Sequence, residues 1–171
     1  MNLYLIGYRA TGKSTVAPLL AEKLGWSVSD SDAEVELLAG KSIAELFEES
    51  GDAGFRQWET TVIQALSLKG KQIISLGGGA PTLAENRMLI KKFGVAVLLT
   101  ASPEVIWQRL SSDANQRPAL TDLDGFNEVK KLLAQRDNAY RECADYTVDT
   151  ANLPPDVVAD KIAKWWNSVD R

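Results

Sequence analysis

Gly7-Tyr8-Arg9-Ala10-Thr11-Gly12-Lys13-Ser14-Thr15 is the stretch whose residue types and spacing point most directly to a chemistry. Gly, four residues, then Gly-Lys-Ser is the pattern of a loop that wraps phosphate. Its glycines let the chain curl until successive N–H groups face phosphate oxygens. Lys13 would then reach the β- and γ-phosphates. Ser14, opening the following helix, would offer its hydroxyl to Mg²⁺, where the helix N-terminus adds partial positive charge. The bland alternative is a glycine-rich turn between a strand and a helix.

Phosphoryl transfer also asks for a carboxylate near the metal. The strong strand candidates Gln72 to Leu76 and Val95 to Leu99 run into Gly77 and Thr100 rather than Asp. Asp30, ending a shorter candidate at Trp26-Ser27-Val28-Ser29, lies where a parallel sheet binds ligands and is assigned to the Mg²⁺ shell. Asp32 would then face the phosphate acceptor. Capping of the next helix by the Asp30-Ser31-Asp32 run explains one of these carboxylates, and Asp149, after Tyr146-Thr147-Val148, competes for the metal role. Gly77-Gly78-Gly79 follows a strand at once. Three consecutive glycines are costly to order, so a close approach of backbone to ligand is expected, with a flexible turn before Pro81 as the alternative. Arg56 and Glu59 fall three apart on the more polar face of a helix. Read as an exposed pair, they would contribute only about 0.3–0.5 kcal/mol. Arg136 and Arg141 sit on a long helix, either on a solvated face or free for other work.

The elements that must position these groups alternate. After the strand Leu3 to Ile6, Val16, Leu19, Leu20 and Leu24 recur at helical spacing up to Gly25, with Pro18 awkward inside. Further helices are expected over Ser42 to Ser50, stopped by Gly51; Phe55 to Leu68; Leu83 to Lys92; Pro103 to Leu110, carrying Arg109; Phe126 to Ala144; and Asp156 to Asn167. From Ser111 to Gly125 the periodicity fails. That segment, about 111–125 and holding Arg117-Pro118-Ala119-Leu120, reads as a lid or as a plain solvated loop. Five strands alternating with helices make an α/β protein with a parallel sheet.

Its 171 residues, 45% apolar, fit one domain spanning 1–171. The net charge of -4 offers no basic excess for nucleic acid. One Cys and no His exclude an internal disulfide, a thiolate or imidazole metal cluster and a His-based triad. No run approaches a membrane span, and the first strand starts almost at Met1, so a cytoplasmic protein without membrane partners is expected.

Taken together and in this order, the loop Gly7 to Thr15, Asp30-Ser31-Asp32, Phe55-Arg56-Gln57-Trp58-Glu59, Gly77-Gly78-Gly79, Arg117-Pro118-Ala119-Leu120 and Arg136 through Tyr140-Arg141 resemble shikimate kinases across nearly the whole chain. The resemblance implies a P-loop three-layer α/β/α fold with sheet order 2-3-1-4-5, a substrate-binding region at about 31–60 and a lid. It implies ATP-dependent phosphorylation of the shikimate 3-hydroxyl with Mg²⁺, a step toward chorismate and the aromatic amino acids, by a monomer. Arg56 and Arg136 would clamp the shikimate carboxylate. Asp32 would bond the hydroxyls, either as base or only as the group that positions them, with Gly77, Gly78 and Gly79 lending backbone donors. Lys13, Asp32 and Arg117 would form the catalytic group, Arg117 closing over the phosphates. Gly7, Ala10, Thr11, Gly12, Lys13, Ser14 and Thr15 would hold the phosphates, while Arg109 and the loop Asn152 to Pro155, including Pro154, would flank the adenine. Ala10 departs from the glycine usual there. A gluconate-type or nucleotide kinase and a silent nucleotide-binding module are the rival readings.

Overall fold

The computed structural model describes residues 1–112 and 124–169. Five strands, β1 (Asn2–Ile6), β2 (Ser27–Asp30), β3 (Gln72–Ser75), β4 (Gly94–Thr100) and β5 (Tyr146–Asp149), pair in the order β2-β3-β1-β4-β5. Every pairing is parallel, with Leu3 opposite Ile73 on one side and Val95 on the other. The order matches the one implied by the resemblance.

Side chains alternate across a strand, so β1 feeds two cores at once. Tyr4 and Ile6 join Ile74, Leu76, Ala96 and Leu98 on one face; Leu3 and Leu5 join Ile73, Val97, Leu99 and Val148 on the other. Helices cover both faces, which is why the central strands read as continuous apolar runs. The first face is covered by α3 (Ile43–Ser67), α4 (Ala84–Phe93) and α6 (Gly125–Cys143), through Val62, Ile63, Leu66, Ile90 and Tyr140. The second is covered by α1 (Lys13–Leu24) and α7 (Pro155–Ser168), through Val16, Leu20, Val158 and Ile162. The remaining helices, α2 (Ser31–Ala39) and α5 (Pro103–Ser112), follow β2 and β4. Pro18 lies within an unbroken α1.

One expected boundary changes. The helices foreseen on either side of Gly51 form a single span, α3, with Gly51 alone at φ 65°, ψ -170°. Such dihedrals interrupt the hydrogen-bond ladder without needing a loop, so the break is a kink.

Candidate active site

The loops after β1, β2, β3 and β5 all leave from one edge of the sheet, the carboxyl end where open parallel sheets bind ligands. After β1 the chain takes left-handed or extended positive φ at Gly7 (136°), Ala10 (61°) and Gly12 (102°). A side chain at Gly7 would collide with the carbonyl oxygen of Leu99, so glycine is required there by space as well as by φ. Lys13 is buried, its Nζ donating to the carbonyl oxygens of Gly7 at 2.8 Å and Tyr8 at 2.9 Å. The α1 N-terminus has no side-chain cap and no acidic residue in its first turn, and Ser14 and Thr15 are exposed there. Its orphan N–H groups are therefore open to an anion.

The acceptor side is organised by Gly77, Gly78 and Gly79. The Gly77 N–H donates to the buried Ser31 Oγ at 3.0 Å, tying the turn to the start of α2. A Cβ on Gly77 would stand 2.5 Å from Asp32 Oδ1 and 3.0 Å from Glu59 Oε1; one on Gly78 would stand 3.4 Å from Arg136 Nη1; one on Gly79 would overlap the Arg56 guanidinium. The three glycines thus leave room for Asp32, Arg136 and Arg56 to converge from α2, α6 and α3. Tyr140, on α6, donates its hydroxyl to the Gly78 carbonyl oxygen at 2.6 Å. Burial pushes that hydroxyl's pKa up to about 12, so it stays a donor at neutral pH.

Arg56 and Glu59 do form an ion pair, at 2.8 Å, but not an exposed one: the side chains are 15% and 1% accessible. The expectation of an ordinary surface pair is corrected. Helical spacing shows which residues share a face, whereas burial of this face comes from the Gly77 turn and α2, distant in sequence.

Asp30 Oδ1 accepts from the N–H groups of Asp32 at 3.0 Å and Ala33 at 3.2 Å, so Asp30 is the α2 cap. The cap engages one carboxylate oxygen. Asp149 Oδ1 accepts from the Ala151 N–H at 2.9 Å, which gives the competing carboxylate a turn-closing role. Among the described residues no cluster of three or more His, Cys, Asp or Glu side chains could hold a metal alone. A divalent ion at this edge would take most of its ligands from a nucleotide, a chemistry that one hydroxyl and one carboxylate suit.

Beside the phosphate loop lies a cleft of about 730 Å³ whose lining includes Ala10, Thr15, Arg109, Thr150, Asn152 and Pro155. Arg109 is fixed across it, donating to the Ala10 carbonyl at 3.1 Å and to Thr150 Oγ1 at 3.1 Å and its carbonyl at 2.7 Å. Thr150 Oγ1 in turn bonds the Thr11 carbonyl at 2.9 Å. Pro154 caps α7 between the lining residues Leu153 and Pro155. Arg117 and the lid, apart from residues 111, 112, 124 and 125, lie outside the described residues. Arg141 is exposed and paired with Asp137 at 2.7 Å, the solvated-face alternative.

Glu128 and Thr150 are parts of the site that carry no motif signal, while Tyr8 and Arg9 lie inside the phosphate-loop motif without a role assigned from it. Arg9 pairs with the buried Glu128, and the Tyr8 ring lies 5.8 Å from the Arg9 guanidinium and 5.7 Å from that of Arg136. Their place in the loop that ends in Lys13 is the signal that could have flagged Tyr8 and Arg9.

The family model described as shikimate kinase matches residues 9–167. A shikimate kinase of Rhodopirellula baltica is 40% identical over 166 residues, covering 95% of this chain and 89% of its own. One from Thermodesulfovibrio yellowstonii is 40% identical over 163 residues, covering 95% and 93%. Among solved structures, that of shikimate kinase from Acinetobacter baumannii in complex with shikimate superposes with a TM-score of 0.90 at 37% identity, covering 99% of this chain and 95% of that one.

Proposed function

The chain belongs to the shikimate kinase family, and from that premise we propose that it transfers the γ-phosphoryl group of ATP to the 3-hydroxyl of shikimate, giving shikimate 3-phosphate and ADP. It is an enzyme, a phosphotransferase with an alcohol as acceptor. The observation that carries the reading is the convergence of Asp32, Arg56 and Arg136 on the three glycines, because two guanidinium forks beside one carboxylate suit a small polyol bearing a carboxylate.

Arg56 and Arg136 bind the shikimate carboxylate and so fix the ring. Asp32 accepts a hydrogen bond from the hydroxyl that attacks, orienting its oxygen toward the γ-phosphorus. As that O–P bond forms, the bond to the β–γ bridging oxygen breaks and the hydroxyl proton leaves to Asp32 or to water. A loose transition state demands positioning and charge neutralisation more than a strong base, so Asp32 serves chiefly by holding the nucleophile in line. Lys13 exchanges the Gly7 and Tyr8 carbonyls for phosphate oxygens when nucleotide fills the loop, beside the backbone N–H groups of Gly7 to Thr15. Ser14 and Asp30 would hold Mg²⁺, which supplies charge neutralisation at the phosphates. Arg109, Thr150 and the loop reaching Pro154 bound the adenine cleft, and Arg117 closes over the phosphates from the lid at about 111–125.

We read residues 1–171 as one domain acting as a cytoplasmic monomer, with about 31–60 as the acceptor region. Among the described residues no helix is long and apolar enough to cross a membrane. The regiochemistry is tested by phosphorus–proton coupling in the NMR spectrum of the product. Coupling to the proton on carbon 3 is expected, and phosphate on another hydroxyl would contradict the reading.

A further inference from the structure

Glu59 takes no part in the transfer just described, yet it is the most deeply buried carboxyl group of the acceptor site. Its Oε2 accepts from Arg56 Nη1 at 2.8 Å, while its Oε1 is buried without a hydrogen-bond partner and borders the same hollow at Gly77 as Asp32 Oδ1. Arg56 is also within 3.3 Å of Asp52. Accepting the reading of this site as the shikimate pocket, that guanidinium must serve Glu59, Asp52 and the substrate carboxylate together.

We propose that Glu59 is the proton-sensitive group of the site, taking up a proton when the shikimate carboxylate engages the Arg56 guanidinium to which it is paired. An ionised carboxylate out of water is tolerated only with full compensation, and one guanidinium shared three ways compensates a buried group poorly. Of the three carboxylates, Glu59 is the one that water cannot reach, so protonation at its open Oε1 relieves the crowding. The charged groups bearing on it are Arg56 and Asp52 on α3 and Asp32 on α2; the turn at Gly77, packed against it from the third side, carries no charge. Burial raises the Glu59 pKa to about 7; Arg56 opposes the rise, and Asp32 and Asp52 add to it. The chain has no histidine to titrate in the same range.

The sign follows from linkage. Shikimate, ionised throughout the neutral range, draws on the charge of Arg56 and raises the Glu59 pKa further, so the complex binds more protons than the free enzyme. Affinity is therefore full below the free-enzyme pKa and weakens as pH rises through it, by up to about tenfold per pH unit until the pKa of the complex is reached.

The test is calorimetric titration of the intact protein with shikimate from about pH 6 to pH 9, in two buffers of different ionisation enthalpy that together report protons taken up. Wild type should take up part of a proton per shikimate near neutrality and bind progressively more weakly above it. Glu59→Gln, which mimics the protonated group, should bind within about threefold of the wild-type value at pH 6 and lose both the uptake and the slope. Wild-type binding without proton uptake would overturn the proposal and needs no variant; so would unchanged uptake in Glu59→Gln. Absence of shikimate binding at every pH would instead overturn the reading of the site itself, and this proposal with it.

Discussion

Arg9 in the phosphate loop is ion-paired with Glu128 in the first turn of α6, a carboxylate only 1% accessible. The same helix carries Arg136, and the Tyr8 ring lies near both guanidinium groups. The loop that would hold ATP and the arginine that would hold shikimate are thus fastened to one another by side chains, and not only through the sheet. In phosphoryl transfer, where alignment dominates, such a fastening fixes the distance between donor and acceptor.

Arg9→Ala removes a charged hydrogen-bond partner of the buried Glu128 and should lower the unfolding free energy by about 1.5–3 kcal/mol. Urea denaturation measures it. A loss within about 1 kcal/mol, the range of exposed pairs, would show that Glu128 is compensated elsewhere.

Ala10 stands in the left-handed region at φ 61°. That conformation costs an L-residue about 1–2 kcal/mol, more than the extra backbone entropy lost by glycine. Against this, the methyl group packs near Tyr8, Ile106, Val129 and Leu132. Ala10→Gly should therefore raise the unfolding free energy by roughly 0.5–1 kcal/mol, and a fall in the denaturation midpoint would show that packing outweighs strain.

How far the sequence carries depends on the range of the interaction. Lys13, the three glycines and the alternation of apolar strands with helices are local signals, and each appears where local chemistry puts it. Asp30 shows both sides of a local ambiguity: its capping role is visible in the structure, and its metal role is separable only by experiment. Glu128, Thr150 and the burial of Glu59 were illegible for a common reason. A charged or hydroxyl side chain on a helix or after a strand looks solvated until a distant segment covers it, and the covering segments here are Arg9, Arg109 and Gly77, respectively 119, 41 and 18 residues away. Sheet order belongs to the same class, since it came from resemblance and not from the strands themselves.

Asp30→Asn separates the two roles of that residue, because asparagine caps a helix about as well as aspartate. Stability should change by no more than about 0.5 kcal/mol, while half-maximal activity should need more Mg²⁺ or be lost. An unchanged Mg²⁺ titration would return the metal to Ser14 and the nucleotide.

Arg136→Ala deletes one fork of the carboxylate clamp. Losing a hydrogen bond to a charged group costs about 1.5–3 kcal/mol, so the shikimate KM should rise roughly ten- to hundredfold while the ATP KM stays near wild type. An unaltered shikimate KM would remove Arg136 from the clamp.

Phosphorylation of shikimate is tested most directly by ADP release, followed in a coupled assay with ATP, Mg²⁺ and, in turn, shikimate, gluconate and a nucleoside monophosphate. Turnover should depend on shikimate and fall by about 10²–10³-fold or more in Lys13→Ala. Release of ADP with gluconate or the nucleotide but not with shikimate would contradict the account.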